Sequence, residues 1–377
     1  MIRNKLNRGK QDKGVYLLRK LLVLTLCILS LILGGSTAFA DEAAVQELTL
    51  QQAVSKALAN SRSLRVSEYQ IQLAQEDRDS AAEAVDFIPT GQTTPEAEKA
   101  FNNLVQKDLS LQAAKKDYQA AQDSVVISVY QAYYGVLEAE AALEAAQQAV
   151  DQAELQYRGT ALKYQFGAAS KLQLMQDNDS YESARQAYAT AEKTLADSYE
   201  KLNQLVGLQP ADRPVLTDQP GFSPLEIDSL EAEIARVLEK SPTVWKAQKA
   251  VDQAKIALDI YSYGPAETHT YEGMEISISI AEENARAAEE SAAQSLRSLY
   301  SNIRQLEESH AGLERKLATA EENLRMTELK YQYGRASRID LIAARSTVAQ
   351  SKQALLEAEC QHAILVTAFK TPWAYGG

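Results

Sequence analysis

The sequence predicts an all-α protein of two tandem repeats of long antiparallel helices, with at most vestigial β-strands. Three observations carry that expectation. Only 9 Pro and 16 Gly punctuate 377 residues, so turns are few and helices long. The long stretches are dominated by Ala, Glu, Gln, Lys and Leu, which are good helix formers. Finally, the chain repeats itself.

Residues 1–40 read as a signal peptide. Arg3, Lys5, Arg8, Lys10, Lys13, Arg19 and Lys20 form a basic start, offset only by Asp12. The apolar run Leu21–Leu33 is 13 residues long, short of the ~20 that span a bilayer as a helix. Gly34-Gly35 and Ala38-Phe39-Ala40 then give the break and the small-x-small site of a signal peptidase. Removing seven basic and one acidic residue from 39 and 51 leaves 32 and 50, a net charge of -18. The expected mature chain is exported and acidic. An acidic chain without a clustered basic face argues against nucleic acid as a partner.

The repeats follow. LTLQQAVSKALANS (48–61) aligns with LEAEIARVLEKS (230–241) at an offset of 180, matching Leu50, Val54, Leu58 and Ser61 to Leu230, Ile234, Leu238 and Ser241. KYQFGAASKLQL from Lys163 aligns with KYQYGRASRIDL from Lys330 at an offset of 167, which Tyr133 and Tyr300 also obey. The change of offset gives the first copy 13 extra residues between these blocks. The copies span 48–208 and 228–370 and are joined by the Pro-rich linker 209–227.

Each copy has the same plan. In the first, helices are expected over 49–60, 62–85, 96–165 and 170–206, with breaks at Phe87–Gly91 and Gly167. In the second they fall over 229–240, 243–261, 281–332 and 337–369, with breaks at Tyr263–Pro265 and Gly334. The 70-residue run 96–165 would be about 105 Å long, so two shorter helices end to end can flank it. Ala-rich stretches such as 138–154 suit close helix–helix approach in an extended layer. Glu275–Ile280 alternates like one short strand.

Nothing points to catalysis, a cofactor or a metal. Ser198 and Lys201 have a Ser-x-x-Lys spacing but lie inside a helix without companion motifs. His310 reads as a solvated helix-face partner of Glu307 and Glu314, while His269 and His362 have no recognisable partners. Cys360, the one thiol of the expected mature chain, reads as a small core residue.

The opening LTLQQAVSKALANS, the tip Tyr164-x-Phe166-Gly167 with Ser170 and Leu172, the closing LNQLVG (202–207) and their duplication together resemble TolC, the outer-membrane efflux duct family. That resemblance implies a TolC-type α-barrel protomer and a homotrimer enclosing a twelve-helix cylinder. It implies a duct in a tripartite export system, docking on a periplasmic adaptor and an inner-membrane transporter. It also places the adaptor-contacting tips at Gly167, Ala168 and Ser170, and at Gly334, Arg335 and Ser337. A gate is implied in which Tyr331 and Asp340 match the family's tyrosine and acidic positions. Ala336 and Ala343 stand where members carry an arginine and a second acid, and Gln173 replaces Asp340 in the first copy.

The family inserts two β-strands between the second and third helices of each repeat. The gaps expected here, 86–95 and 262–280, hold ten and nineteen residues, whereas a spanning pair with its turn needs roughly two dozen. A full transmembrane barrel is therefore not expected. The resemblance implies the outer membrane; a barrel-less chain would be periplasmic or otherwise extracytoplasmic. A non-conducting envelope scaffold derived from the family is the alternative function.

Overall fold

The computed structural model describes residues 47–86, 94–261 and 270–375. The signal-peptide reading, the breakers at 87–91 and 263–265, and His269 lie outside the described residues. Eight α-helices are present among the described residues: α1 (Leu50–Asn60), α2 (Arg62–Glu83), α3 (Pro95–Gln165), α4 (Lys171–Val206), α5 (Leu230–Lys240), α6 (Pro242–Asp259), α7 (Tyr271–Gln332) and α8 (Arg338–Lys370). Two short strands, β1 (Glu47–Leu48) and β2 (Val215–Leu216), pair in parallel.

Local chemistry sets the helix starts. Thr49, Ser61, Thr94, Ser170, Ser229, Ser241, Thr270 and Ser337 each place a side-chain oxygen on an amide of the first turn, worth about 1 kcal/mol apiece. Pro95 and Pro242 occupy the first helical position, where a missing N–H costs nothing. α4 ends on Gly207 at φ +77°, where an added Cβ would lie 2.9 Å from Asn60 Cγ.

The expected strand at Glu275–Ile280 is helix. Thr270 caps α7 through Gly273 N, so the helix starts ten residues before the expected Ala281. Ser277 and Ser279 turn their hydroxyls onto the carbonyls of Gly273 and Glu275. The alternation was therefore a helical pattern read at the wrong period, with Ile276 and Ile280 one turn apart and both exposed.

Helix lengths and contacts define a layer. α3, with 71 residues, rises about 107 Å. It packs along α4 and α2 on one side, and against α8 and α6 of the second repeat on the other. α7 packs on α8 and α6. The order across the layer is α4–α3–α8–α7 towards the Gly167 and Gly334 turns, and α2–α3–α6–α7 away from them. α3 thus joins the repeats, and residues from Glu47 onward form one compact unit.

Two apolar cores sit where the helix pairs change over. One gathers Leu48, Val129, Tyr133, Val136, Leu202, Leu216 and Cys360. The other gathers Ile127, Val237, Leu296, Ile303, Leu365 and Phe369. Cys360 is fully buried, and burial pushes its thiol up, with Glu138, Glu359 and Glu357 adding to the effect. The buried Tyr133 hydroxyl donates to Leu48 O at 3.0 Å and accepts from Asp218 N at 3.0 Å. It thereby ties the start of repeat one to the linker.

Each repeat leaves eleven residues between its second and third helices, 84–94 and 260–270. Neither connection has the length of a pair of spanning strands. No helix among the described residues is long and apolar enough to cross a membrane.

Candidate docking tips and gate

The turns at Gly167 and Gly334 are built alike. Gly167 N donates to Tyr164 O at 3.0 Å and Ala168 N to Lys163 O at 2.7 Å; Gly334 N and Arg335 N repeat this on Tyr331 O and Lys330 O at the same distances. This is the Schellman pattern, which needs a left-handed residue after the helix cap. The glycines supply it at φ +72° and +68°, with open space where a Cβ would be. Ser170 and Ser337 start the return helices by accepting from Gln173 N and Asp340 N, both at 3.1 Å. The turns lie at the same end of the layer, since Ile339 at the start of α8 lies against Gly159 near the end of α3.

Six residues expected at the tips are placed as two matched turns: Gly167, Ala168 and Ser170 in one, Gly334, Arg335 and Ser337 in the other, all exposed. The apex positions just before the glycines, Phe166 and Tyr333, are 83% and 79% exposed. Leu162, Tyr164, Leu172 and Met175 are exposed beside the first apex, and Met326, Leu329 and Tyr331 beside the second.

Of the two positions expected at a gate, Tyr331 and Asp340, the second has a local partner. Its carboxylate accepts from the Ser337 amide and hydroxyl, both at 2.8 Å, and these bonds hold it below the usual carboxylate range. The capping box explains why this turn carries an acid. At the corresponding place in the first repeat, Gln173 gives its amide to Ser170. Tyr331 is exposed on the last turn of α7.

His310 keeps its expected helix-face neighbour Glu314, 3.8 Å from its Nδ1, but departs from the expected solvation. It is buried, its Nε2 lies 3.2 Å from Glu359 of α8, and its ring stacks on Phe222 of the linker. His362 is buried too, with Nε2 3.3 Å from Glu307 Oε1 and its ring tilted against Phe222. Glu307 accepts from Leu225 N and Arg304 Nη1, both at 2.6 Å. Arg304 also donates to Leu225 O at 3.1 Å. Burial pushes the Glu307 carboxyl up, but the Leu225 amide, Arg304 and His362 outweigh it and hold the group low. The sequence signals for this network were faint: one aromatic in a Pro-rich linker, and Arg304 three residues before Glu307.

Residues 98–208 match the family model described as outer membrane efflux protein. The resemblance is to that efflux family. The fold extends the likeness beyond the first repeat. It matches the outer-membrane channel OprN with a TM-score of 0.62 at 14% identity, over 87% of this chain and 90% of that one. It matches the CmeC outer membrane channel of Campylobacter jejuni at 0.59 and 15% identity, over 86% and 85%. For the outer membrane protein VceC of Vibrio cholerae the values are 0.56 and 15%, over 87% and 96%. At such identities the likeness is one of fold. No curated protein matches the sequence.

Proposed function

We propose that this TolC-like chain is the duct of a tripartite export system. The observation that carries the reading is the four-helix layer, whose α2/α4 and α7 edges meet no further long helix among the described residues and whose turns share one end. Three such layers joined edge to edge give a twelve-helix ring around a lumen. Val66, Tyr69 and Leu73 on α2 and Ile276 and Ile280 on α7 are exposed apolar residues, suited to lie between protomers. The tips around Gly167 and Gly334 then face a periplasmic adaptor and its inner-membrane transporter, with Tyr331 and Asp340 at the narrow end as gate positions.

Eleven-residue connections leave no room for the family's spanning strand pairs. The duct is therefore proposed as an extracytoplasmic cylinder whose far end does not itself form an outer-membrane barrel. The test is the mass and shape of residues 41–377 with and without detergent, by light scattering and negative-stain imaging. A hollow trimer about 100 Å long is expected in both buffers. Tyr69→Asp and Ile280→Asp should reduce it to monomers that keep their helical circular dichroism. A wild-type chain that runs as a monomeric or dimeric rod would sink the duct and leave the non-conducting scaffold.

A further inference from the structure

The chain carries 51 acidic residues against 39 basic ones, yet one cavity has the opposite sign. It lies where α1 passes into α2 and α4 ends, with α3 behind, and measures about 980 Å³. Cavities of this size hold small-molecule ligands. Arg62 and Lys201 line it, and no carboxylate does. Neither cation has an ion-pair or hydrogen-bond partner for its side chain among the described residues.

The second repeat shows that the fold itself does not require these cations. At the 180-residue offset Arg62 answers Pro242, and at the 167-residue offset Lys201 answers Ala368. Both of those residues are buried, Ala368 completely. The groove between α5 and α7 carries Glu231, Glu289 and Glu290 instead, and its Arg297 is paired with Glu231 at 3.0 Å. Unpaired cations around an acid-free cavity are thus a property of the first repeat alone among these two junctions.

We propose that this cavity binds a small organic phosphomonoester. Two cations match the near-double negative charge of such a head at neutral pH, and Arg and Lys give it charge-assisted hydrogen bonds. Ser124, Gln131 and Gln204 also line the cavity, and their side chains make no hydrogen bond among the described residues, so neutral donors stand beside the charged ones. Ala57, Val125 and Leu205 offer an apolar wall for the organic body. In the proposed ring the α2/α4 edge meets a neighbour's α7, whose acids are the rival partner for Arg62 and Lys201. Ser124 and Gln131 favour the small ligand: they belong to α3, one helix in from that edge, where a helix packed on α2 and α4 leaves their donors unanswered. The site is built within a single chain and does not depend on the duct reading.

The experiment uses residues 41–377, which keep the whole described fold without the apolar run 21–33, in isothermal titration calorimetry. 1-Naphthyl phosphate is expected to bind once per chain. Inorganic phosphate and 1-naphthol, which carry the head or the body alone, should bind about ten-fold or more weakly. R62Q/K201Q should lose about a hundred-fold in affinity for the naphthyl phosphate, and S124W, which fills the cavity floor, should abolish binding. The control K115Q/K316Q should match the wild type. Saturating naphthyl phosphate should raise the melting temperature of the wild type and not that of R62Q/K201Q. No binding by the folded wild type, undiminished binding by R62Q/K201Q, or 1-naphthol binding as tightly as its phosphate would each overturn the proposal. A wild type that ignores the phosphate, with an R62Q/K201Q variant that no longer assembles, would also overturn it and assign the cations to a neighbour's α7. Assembly is read separately by light scattering, so the duct and the anion site can fail independently.

Discussion

The Phe222 ring lies flat on that of His310, centroids 3.6 Å apart and planes 1° from parallel. This single linker side chain sits between α7 and α8, because His362 meets it from the other helix at 4.8 Å. Phe222→Ala should cost about 1–2 kcal/mol, seen as a lower urea midpoint. Proteolysis between residues 218 and 226 should accelerate at the same time. An unchanged midpoint and cleavage rate would mean that the stack contributes nothing.

Glu307 gives the linker a pH dependence with a definite sign. Its folded carboxyl lies below the ordinary glutamate value of 4.5, so its contribution is fully present well above pH 4.5. It fades as pH falls below that value, through the folded one. Glu307→Gln should therefore lower the stability at pH 7. Its deficit against wild type should shrink on acidification to pH 3. A deficit constant over that range would show that the charge is not what matters.

Glu138 has the opposite sign. Burial, with Glu357 nearby, raises its carboxyl above the usual value. The ionised form at neutral pH is thus a destabilising presence, absent once the solution is acid enough to protonate the group. Glu138→Gln should raise the melting temperature at pH 7 and match wild type near pH 4. Calorimetry at the two pH values decides; a lower melting temperature at pH 7 would contradict the assignment.

Tyr133→Phe removes one hydroxyl and two hydrogen bonds in a fully buried place. The Asp218 amide loses its acceptor and the Leu48 carbonyl keeps only the Thr217 amide at 3.4 Å, at a cost of roughly 1–3 kcal/mol. Hydrogen exchange should localise the loss to 47–50 and 215–218, including the Leu50 amide that donates to Asp218 Oδ2 at 2.9 Å. Uniform loosening of the long helices instead would place the effect elsewhere.

The tips at Gly167 and Gly334 follow rules only a few residues wide, and so could be read from one sequence. A left-handed glycine, a serine cap and a periodic apolar face announce themselves locally. The Glu275–Ile280 segment is ambiguous in sequence because six residues of alternating Ile and polar side chains satisfy either period. Its capping threonine lay five residues upstream of the window. The His310 and His362 environment was illegible for a different reason. Glu359 is 49 residues from His310, Glu307 is 55 from His362, and Phe222 reaches both from the linker. Only packing of the second repeat against that linker brings them together.

Because α3 packs against helices of both repeats, the two halves of this chain are not separable modules. A polypeptide carrying one repeat alone would leave the long helix with a bare apolar flank. It would have to borrow the missing neighbour from another molecule, and six such half-length molecules would be needed to close the ring that three full ones are proposed to make. In the proposed ring, joining two repeats in one chain would turn half of those bimolecular contacts into intramolecular ones. The linker that Tyr133 and Phe222 pin down would then make half of the ring's contacts independent of protein concentration.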